Sequence, residues 1–256
     1  MIQANGFSCL TYNIHKGFSA NNREYQLSKI RDALRSSNAD VVALQEVLGE
    51  HQKHAQALPD WHHEAHFEYL ADSVWHEYAY GKNAIYQHGH HGNALLSKFP
   101  FGEHNNHDLS QWRFSRRGLL HGVISLQPHQ QYQEKLLHIA CVHLGFLPFE
   151  QWRQTQKIKR WLTTIADDQP VVIMGDFNDW HLRIHRSLTG SCGLKEASSY
   201  HTGRPQPTFP ASSPRTPLDR IYYRGLKLDS CKVLSSGDWS RLSDHRPIFA
   251  KFLLEN

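Results

Sequence analysis

The fold prediction depends mainly on the stretch Val171-Val172-Ile173-Met174-Gly175-Asp176-Phe177-Asn178-Asp179. Four consecutive apolar residues predict a buried strand, and the glycine and carboxylate after them indicate that the strand ends in a polar loop. Another predicted strand, Leu136–Val142, comes earlier, and between the two lies a predicted helix with an apolar face formed by Phe149, Trp152, Trp161, Leu162 and Ile165. The order strand, helix, strand is typical of a β-α-β unit.

The same order of elements occurs near the start of the chain. Cys9–Ile14 predicts a strand, Asn21 or Asn22 is a suitable N-cap for a helix, and Val41–Leu44 predicts a second buried strand. Shorter predicted strands lie between and after the two units, at Asn83–Gln87, Ala94–Ser97, Leu119–Leu126, Leu218–Tyr223 and Pro247–Phe252. We therefore expect one domain over residues 1–256 that contains two similar halves.

Each half places polar residues at the ends of its strands. Asn13 and His143 end or follow the first strands, and Glu46 and Asp176 follow the second ones. Ligands bind at strand ends in α/β folds, so we expect both halves to bring these side chains to one shared edge. Further polar residues of this group follow predicted turns and strands at Asn178, Asp219, Asp244 and His245.

Four carboxylates in one small volume would repel each other unless a cation compensated their charge. The group offers carboxylate and amide oxygens and no cysteine, and its histidines lack the spacing of a zinc motif. Such donors suit a hard divalent cation. The sequence therefore predicts a Mg²⁺ or Mn²⁺ site.

Composition excludes several classes of protein. The chain has 256 residues, of which 39% are hydrophobic and 20% charged, so it is unlike a disordered protein. Its four cysteines are scattered singly, which predicts reduced thiols. No stretch approaches the ~20 apolar residues of a membrane span, and the first residues lack the pattern of a signal peptide, so we expect a cytoplasmic location. A net charge of +4 is too small to bind nucleic acid by charge alone.

Six motifs, taken in order, carry a specific resemblance: Thr11-Tyr12-Asn13-Ile14-His15, Leu44-Gln45-Glu46-Val47, Cys141-Val142-His143-Leu144, Gly175-Asp176-Phe177-Asn178-Asp179, Leu218-Asp219-Arg220-Ile221 and Ser243-Asp244-His245-Arg246-Pro247. Together they resemble the endonuclease/exonuclease/phosphatase superfamily, which includes DNase I, abasic-site endonucleases, inositol polyphosphate 5-phosphatases and neutral sphingomyelinases. The resemblance implies an α/β (α+β) fold, a four-layered sandwich of two mixed β-sheets packed face to face and flanked by helices.

The resemblance also implies a set of metal ligands. Glu46 would be the principal ligand, and Asn13 and Asp244 would complete or orient the coordination. The expected cofactor is Mg²⁺, with Mn²⁺ as the alternative.

The remaining roles concern water and phosphate. Asp176 would position and deprotonate the attacking water, and Asn178 would hold that water or a phosphate oxygen. His245, aligned by Asp219, would contact the phosphoryl oxygen or transfer a proton. His143 resembles the histidine of DNase I at this point, whereas the abasic endonucleases usually place tyrosine there.

These observations predict a Mg²⁺-dependent phosphoesterase, in the first place a phosphodiesterase or nuclease acting as a monomer. Arg116 and Arg117 are the candidate contacts for substrate phosphate and favour nucleic acid or another anionic phosphodiester. One alternative is a phospholipid or phosphoinositide phosphoesterase, because the aromatic, histidine-rich insertion at residues 48–82 would suit a lipid headgroup. An alternative of another class is a non-catalytic phosphate-binding scaffold. Cys141 beside His143 gives a weaker indication of a thiol enzyme.

Overall fold

A computed structural model describes residues 6–126, 135–200 and 202–254. Within them the strands are β1 Phe7–Asn13, β2 Val41–His51, β3 Glu77–Tyr86, β4 Gly89–Ser97, β5 Glu103–Asp108, β6 Gly118–Leu126, β7 Lys135–His143, β8 Val171–Asp176, β9 Lys195–Glu196, β10 Asp219–Arg224, β11 Lys227–Val233 and β12 Ile248–Leu253. The helices are α1 Leu27–Ser37, α2 Gln52–Ala57, α3 His66–Ala71, α4 Pro148–Leu162, α5 Arg183–Cys192 and α6 Trp239–Leu242. In this part of the chain, no helix combines the length and the apolar character needed to cross a membrane.

The strands form two sheets of six. The first sheet has the order β11-β12-β1-β2-β4-β3, and the second has the order β5-β6-β7-β8-β10-β9. In the first sheet β1 and β2 are parallel, and in the second β7 and β8 are parallel, while their other neighbours run antiparallel. Both sheets are therefore mixed, and each contains one of the predicted β-α-β units.

Apolar side chains explain why the two sheets stack. One buried cluster combines inward-facing residues of both sheets, among them Cys9, Val41, Leu120 and Met174. A second cluster joins α1, α3 and α6 to the outer face of the first sheet, and a third joins α4 and α5 to the outer face of the second. Each fully buried aliphatic side chain contributes roughly 1.5–3 kcal/mol. The result is the expected four-layered sandwich.

Two local predictions about helices are wrong. The first helix begins at Leu27 after Gln26, because Asn21 and Asn22 lie in a turn in which the Ser19 amide donates to the carbonyl of Glu24. In α4, Phe149 and Trp152 do not belong to the buried face and are 53% and 58% exposed. The buried side of the first two turns of α4 carries polar residues instead, Glu150, Gln151, Gln154 and Thr155.

The aromatic residues of the insertion at residues 48–82 serve mainly its own packing. Trp61 and Trp75 are buried, and the indole of Trp75 donates to the carbonyl of Ala39 at 3.0 Å. His66 is also buried and lies 4.7 Å from the ring of Trp61, centroid to centroid. The insertion therefore packs against the first sheet.

Candidate active site

Asp176, the last residue of β8, lies where side chains from both sheets meet. Its Oδ2 accepts a hydrogen bond from Nδ2 of Asn13 at 3.1 Å. The same oxygen is 3.6 Å from Nε2 of His143 and 3.8 Å from Nε2 of His245. Asn13 ends β1, His143 ends β7, and His245 precedes β12, so strand ends from both sheets bring these groups together.

A buried ion pair holds His245 in this position. Nδ1 of His245 donates to Oδ2 of Asp219 at 2.7 Å, and the hydroxyl of Thr208 donates to the same oxygen at 2.6 Å. Burial alone would lower the pKa of His245, but the charges of Asp219 and Asp176 outweigh it and raise the pKa to about 10. The ring is therefore a cation at neutral pH, with its Nε2–H directed toward Asp176.

Asp176, Asp219 and His245 form a cluster that can hold a metal ion, because their ligand atoms lie within 4.8 Å of one another. Oδ1 of Asp219 is buried and has no hydrogen-bond partner among the described residues. This cluster differs from the predicted metal ligands, Asn13, Glu46 and Asp244. Its negative charge is already balanced in part by the imidazolium of His245.

Glu46 lies at a β-bulge in β2. The register between β2 and β4 shifts between Leu44 and Val47, and Glu46 has a left-handed φ of 57°. A bulge changes the direction of a side chain, and an unfavourable backbone conformation is more common at functional sites. The bulge therefore explains how a strand residue directs its carboxylate to the edge of the sheet.

Positive neighbours keep Glu46 ionised. Burial alone would raise the pKa of its carboxyl group, but His143, which is charged only in acid, and the ammonium of Lys16 lower the pKa to about 2. The ammonium of Lys16 lies 3.3 Å from Oε2 of Glu46. Glu46 is therefore a permanent anion at neutral pH, as a metal ligand must be.

Asn13 links the other two predicted metal residues. Its Nδ2 lies 3.4 Å from Oε1 of Glu46, and its Oδ1 accepts from the amide of His15 at 3.0 Å. The hydroxyl of Ser243 donates to the carbonyl of Asn13 at 2.8 Å and to Oδ1 of Asp244 at 3.2 Å. The amide nitrogen of Asn13 thus faces carboxylates, an arrangement that suits orienting ligands better than binding a cation directly.

These donors fit a hard divalent cation. Glu46 and Asp244 offer carboxylate oxygens that are only partly exposed, and Glu46 is ionised. Oxygen ligands of this kind are the ones that Mg²⁺ and Mn²⁺ prefer.

Asn178 is fixed by the loop after β8. Its amide donates to Oδ1 of Asp176 at 2.9 Å, and its side-chain Nδ2 donates to the carbonyl of Leu144 at 2.9 Å. Nε2 of Gln151 donates to the carbonyl of Asn178 at 2.6 Å, and Asn178 has a left-handed φ of 49°. Its side-chain oxygen can accept a hydrogen bond from a water molecule, whereas its side-chain nitrogen already donates to Leu144.

The two predicted substrate arginines differ in position. Arg117 is partly buried, and together with burial its charge lowers the pKa of His143 to about 4, so the His143 ring is neutral at pH 7. Arg116 is exposed, and its Nε lies 3.4 Å from the carbonyl of Arg113. Arg117 therefore lies near His143, whereas Arg116 is exposed at the surface.

Two basic residues near Glu46 were missed by the sequence reasoning. Lys16 lies in a short turn after β1 in which both His15 and Lys16 have positive φ values. His91, on β4, pairs with Leu48 just beyond the bulge and helps to lower the pKa of Glu46. The position of His91 depends on the bulge, which periodicity alone does not reveal. The His-Lys-Gly sequence after Asn13 was the available signal for Lys16.

The thiol alternative is not supported by the geometry. Cys141 is buried between the sheets, and burial raises the pKa of its thiol to about 12. Its Sγ lies 3.2 Å from Nε2 of Gln45 and 3.4 Å from the carbonyl of Leu44. A buried neutral thiol is a poor nucleophile, so Cys141 is a core residue.

Comparison with known proteins agrees with this arrangement. The model of the Endonuclease/Exonuclease/phosphatase family matches residues 10–245. The uncharacterized protein YbhP of Escherichia coli strain K12 is 40% identical over 97% of this chain and 96% of its own length. An endonuclease/exonuclease/phosphatase structure from Beutenbergia cavernae has a TM-score of 0.75 at 18% identity, covering 98% of this chain and 72% of that one. A D. rerio TDP2 structure complexed with a single-strand DNA product has a TM-score of 0.66 at 19% identity, covering 96% of this chain and 98% of that one.

Proposed function

Because the chain belongs to the endonuclease/exonuclease/phosphatase family, we propose that it is a Mg²⁺-dependent phosphoesterase that cleaves phosphodiester bonds with water. The observation that best supports the proposal is the position of Oδ2 of Asp176. This carboxylate oxygen lies within 4 Å of an amide and two imidazole rings that come from separate elements of both sheets.

The chain's own residues account for the handling of water and phosphate. Asp176 orients the attacking water and accepts its proton, while Asn13 holds the carboxylate in place. The charged ring of His245 donates its Nε2–H to a phosphoryl oxygen, and Asp219 fixes the ring through Nδ1. Positioned acid and base groups typically contribute ~10²–10⁴ in rate.

Glu46 and Asp244 would hold the divalent cation, Mg²⁺ or Mn²⁺. When bound there, the cation supplies positive charge that stabilises the phosphate oxygens and the leaving oxygen. Lys16, which contacts Glu46 in the structure, is close enough to add to this positive charge.

The substrate proposal starts from nucleic acid. Arg117 lies near His143, and the structurally similar TDP2 protein has been solved with a single-strand DNA product. A phospholipid headgroup is the second candidate, and a specific observation favours it, namely a group of exposed apolar side chains beside the catalytic loops. We further propose that residues 1–256 act as one catalytic domain and as a monomer, because both sheets of one chain supply the site.

Hydrolysis of bis(p-nitrophenyl) phosphate tests the proposal without assuming a natural substrate. We expect turnover with Mg²⁺, loss of turnover after chelation by EDTA, and recovery when Mg²⁺ is restored. A non-catalytic scaffold would show no turnover under any of these conditions. Turnover that persists in EDTA, or that a thiol-blocking reagent abolishes irreversibly, would contradict the proposed mechanism.

A panel of single-stranded DNA, RNA, phosphoinositides and phospholipids then identifies the substrate class. Asp176→Asn is the matched inactive control for each substrate, because it keeps the size of the side chain and removes the base. Any product that forms equally with this variant comes from a contaminating enzyme.

A further inference from the structure

The start of α4 has an unusual distribution of apolar residues. Phe146, Leu147, Pro148 and Phe149 are four consecutive exposed residues, with Phe146 at 62% exposure. Trp152, one turn further along the helix, is also exposed. A run of this kind on a surface favours aggregation, so it is retained only where it has a partner to cover it.

Buried polar side chains of α4 explain why the apolar ones face outward. Oε1 of Glu150 accepts from the hydroxyl of Ser115 at 2.5 Å. Gln151 donates to the carbonyls of Gly145 at 3.0 Å and Asn178 at 2.6 Å. Oε1 of Gln154 accepts from the amide of Gly145 at 2.9 Å. Helix α4 is thus hydrogen-bonded to three loops, which precede β6, follow β7 and follow β8.

The loop that precedes β6 adds two more exposed rings. Trp112 and Phe114 lie 6.1 Å apart, centroid to centroid, and Phe114 is 80% exposed. We call the following side chains the apolar rim: Trp112, Phe114, Phe146, Leu147, Phe149 and Trp152. Because the loop carrying Phe146 leaves β7 directly after His143, the apolar rim borders the candidate active site.

The exposed charges around the apolar rim are mainly positive, and the exposed acid at the start of the loop, Asp108, interacts with Arg116. In residues 109–118 and 144–153 the exposed charges are Arg113, Arg116 and Arg153, and the single acid, Glu150, is buried. The guanidinium of Arg153 lies 4.8 Å from the ring centroid of Phe149. The surface therefore combines protruding apolar groups with a net positive charge.

This combination matches the interface of an anionic bilayer. Aromatic rings occupy the headgroup level, aliphatic groups enter the acyl boundary, and arginine binds lipid phosphate. Single-stranded nucleic acid would use the aromatic rings and the arginines through stacking. It would gain nothing from the consecutive Leu147 and Pro148, which have no aromatic face to stack on a base. The aliphatic part of the run favours lipid.

We propose that the apolar rim docks the protein on an anionic phospholipid bilayer and brings the headgroup phosphates to the Asp176 site. Docking on the bilayer depends only on the exposed apolar and positive side chains of the rim. The reaction at the headgroup rests on the proposed phosphoesterase function. The apolar rim thus favours the second candidate substrate of the proposed function, a phospholipid headgroup at a membrane surface, over nucleic acid.

Vesicle flotation in EDTA tests the docking, since chelation prevents metal ions from bridging protein and lipid. We expect wild-type protein to float with vesicles of phosphatidylcholine and phosphatidylglycerol, and to remain in solution with phosphatidylcholine alone. The double variant Phe146→Ser/Phe149→Ser should bind at least about ten-fold more weakly, since each ring loses roughly 25 cal/mol per Å² of apolar burial. Arg113→Gln/Arg153→Gln should weaken binding about five-fold per arginine.

Ile85→Ser is the matched control, because Ile85 is 69% exposed on β3 at the far edge of the first sheet. This variant should float like wild type. Hydrolysis of bis(p-nitrophenyl) phosphate is measured for every variant and should be unchanged, which also shows that the variants are folded.

The outcomes separate the docking from the reaction. Wild-type protein that hydrolyses bis(p-nitrophenyl) phosphate but ignores anionic vesicles overturns the docking and leaves the proposed function intact. Rim-dependent flotation without any turnover supports the docking and overturns the proposed function. Flotation that survives Phe146→Ser/Phe149→Ser overturns the docking through the rim. A loss of affinity for a single-stranded oligonucleotide in that variant, without vesicle binding by wild type, makes the rim a nucleic-acid surface and overturns the proposal.

Discussion

The two β-α-β units have the same topology, but the polar residues that their strands bring to the candidate active site differ. In the first unit, β1 ends in Asn13, whereas Glu46 lies within β2, at a bulge five residues before the end of the strand. In the second unit, β7 and β8 end in His143 and Asp176, without a register shift between those strands. The carboxylate of Glu46 lies beside the basic residues Lys16 and His143, and the carboxylate of Asp176 accepts a hydrogen bond from Asn13 of the first unit.

This difference indicates a division of labour. Under the proposed function, the first unit would supply the principal cation ligand, and the second would supply the groups that act on water and phosphate. The second unit also carries the exposed loops at the start of α4, so the proposal places substrate contact on its side of the molecule. Variants of matched residues in the two units test this division.

The largest effect is expected for Asp176→Asn. Removing the base that orients and deprotonates water should lower kcat by about 10³-fold, within the ~10²–10⁴ range for acid-base groups. Steady-state hydrolysis of bis(p-nitrophenyl) phosphate measures it. Asp167→Asn, a fully exposed carboxylate before β8, is the control and should keep full activity. Equal activity of Asp176→Asn and wild type would exclude the assigned role.

A large loss of stability is expected for Arg220→Met. Arg220 is buried on β10, and its guanidinium donates to Oδ2 of Asp179 at 2.8 Å, so the variant leaves Asp179 buried without its partner. Breaking a buried pair costs about 3–5 kcal/mol, to be measured by urea unfolding. The matched variant in the first unit, Lys16→Gln, breaks a partly exposed pair with Glu46 and should cost less than ~1 kcal/mol. Similar losses of unfolding free energy in Arg220→Met and Lys16→Gln would contradict the expected difference between the buried and the partly exposed ion pair.

Glu46→Gln should lower activity by about 10²-fold at a limiting Mg²⁺ concentration, since a neutral amide binds the cation more weakly. Unlike Asp176→Asn, it should recover part of its activity as the Mg²⁺ concentration rises. A metal activation curve distinguishes the two. Glu50→Gln, on the same strand but exposed, should follow the wild-type curve. A loss in Glu46→Gln that no Mg²⁺ concentration changes would assign Glu46 to another role.

The smallest effect concerns the acid stability of the insertion beside the first sheet. Burial lowers the pKa of His66 to about 3, so below pH ~6.5 the unfolded chain binds a proton that the folded chain does not. Stability therefore falls as the pH decreases from about 6.5 toward 3, and this residue alone should cost about 2 kcal/mol between pH 7 and pH 5.

Urea unfolding of His66→Gln at both pH values isolates this contribution, because glutamine does not titrate. The variant should lose about 2 kcal/mol less than wild type between pH 7 and pH 5. His63→Gln, an exposed neighbour, is the control and should show the wild-type pH dependence. An equal loss of unfolding free energy between pH 7 and pH 5 in wild type, His66→Gln and His63→Gln would contradict the buried, neutral state of His66.

Sequence patterns were sufficient for the architecture. Apolar runs fixed β1, β2, β7 and β8, and polar residues after those runs placed Asn13, Glu46, His143 and Asp176 at one edge. The patterns failed where tertiary contacts override local preference. Asn21 and Asn22 serve a turn instead of a helix cap. The apolar residues at the start of α4 face outward because its polar residues bind three loops.

The surroundings of Glu46 show the same limit within the site. A β-bulge inserts one residue and changes which side chains face one another, and neither periodicity nor composition encodes its position. For this reason the sequence does not predict His91 as a neighbour of Glu46. Arg116 and Arg117 are adjacent in the sequence, but Arg117 is partly buried near His143 and Arg116 is exposed.

The most direct test of the division of labour is Mn²⁺ binding, followed by the electron paramagnetic resonance signal of free Mn²⁺, in wild type, Glu46→Gln and Asp176→Asn. We expect wild type and Asp176→Asn to bind Mn²⁺ with similar affinity and Glu46→Gln to bind it much more weakly. Binding that is lost in Asp176→Asn but retained in Glu46→Gln would place the cation at the Asp176, Asp219 and His245 cluster and contradict the account.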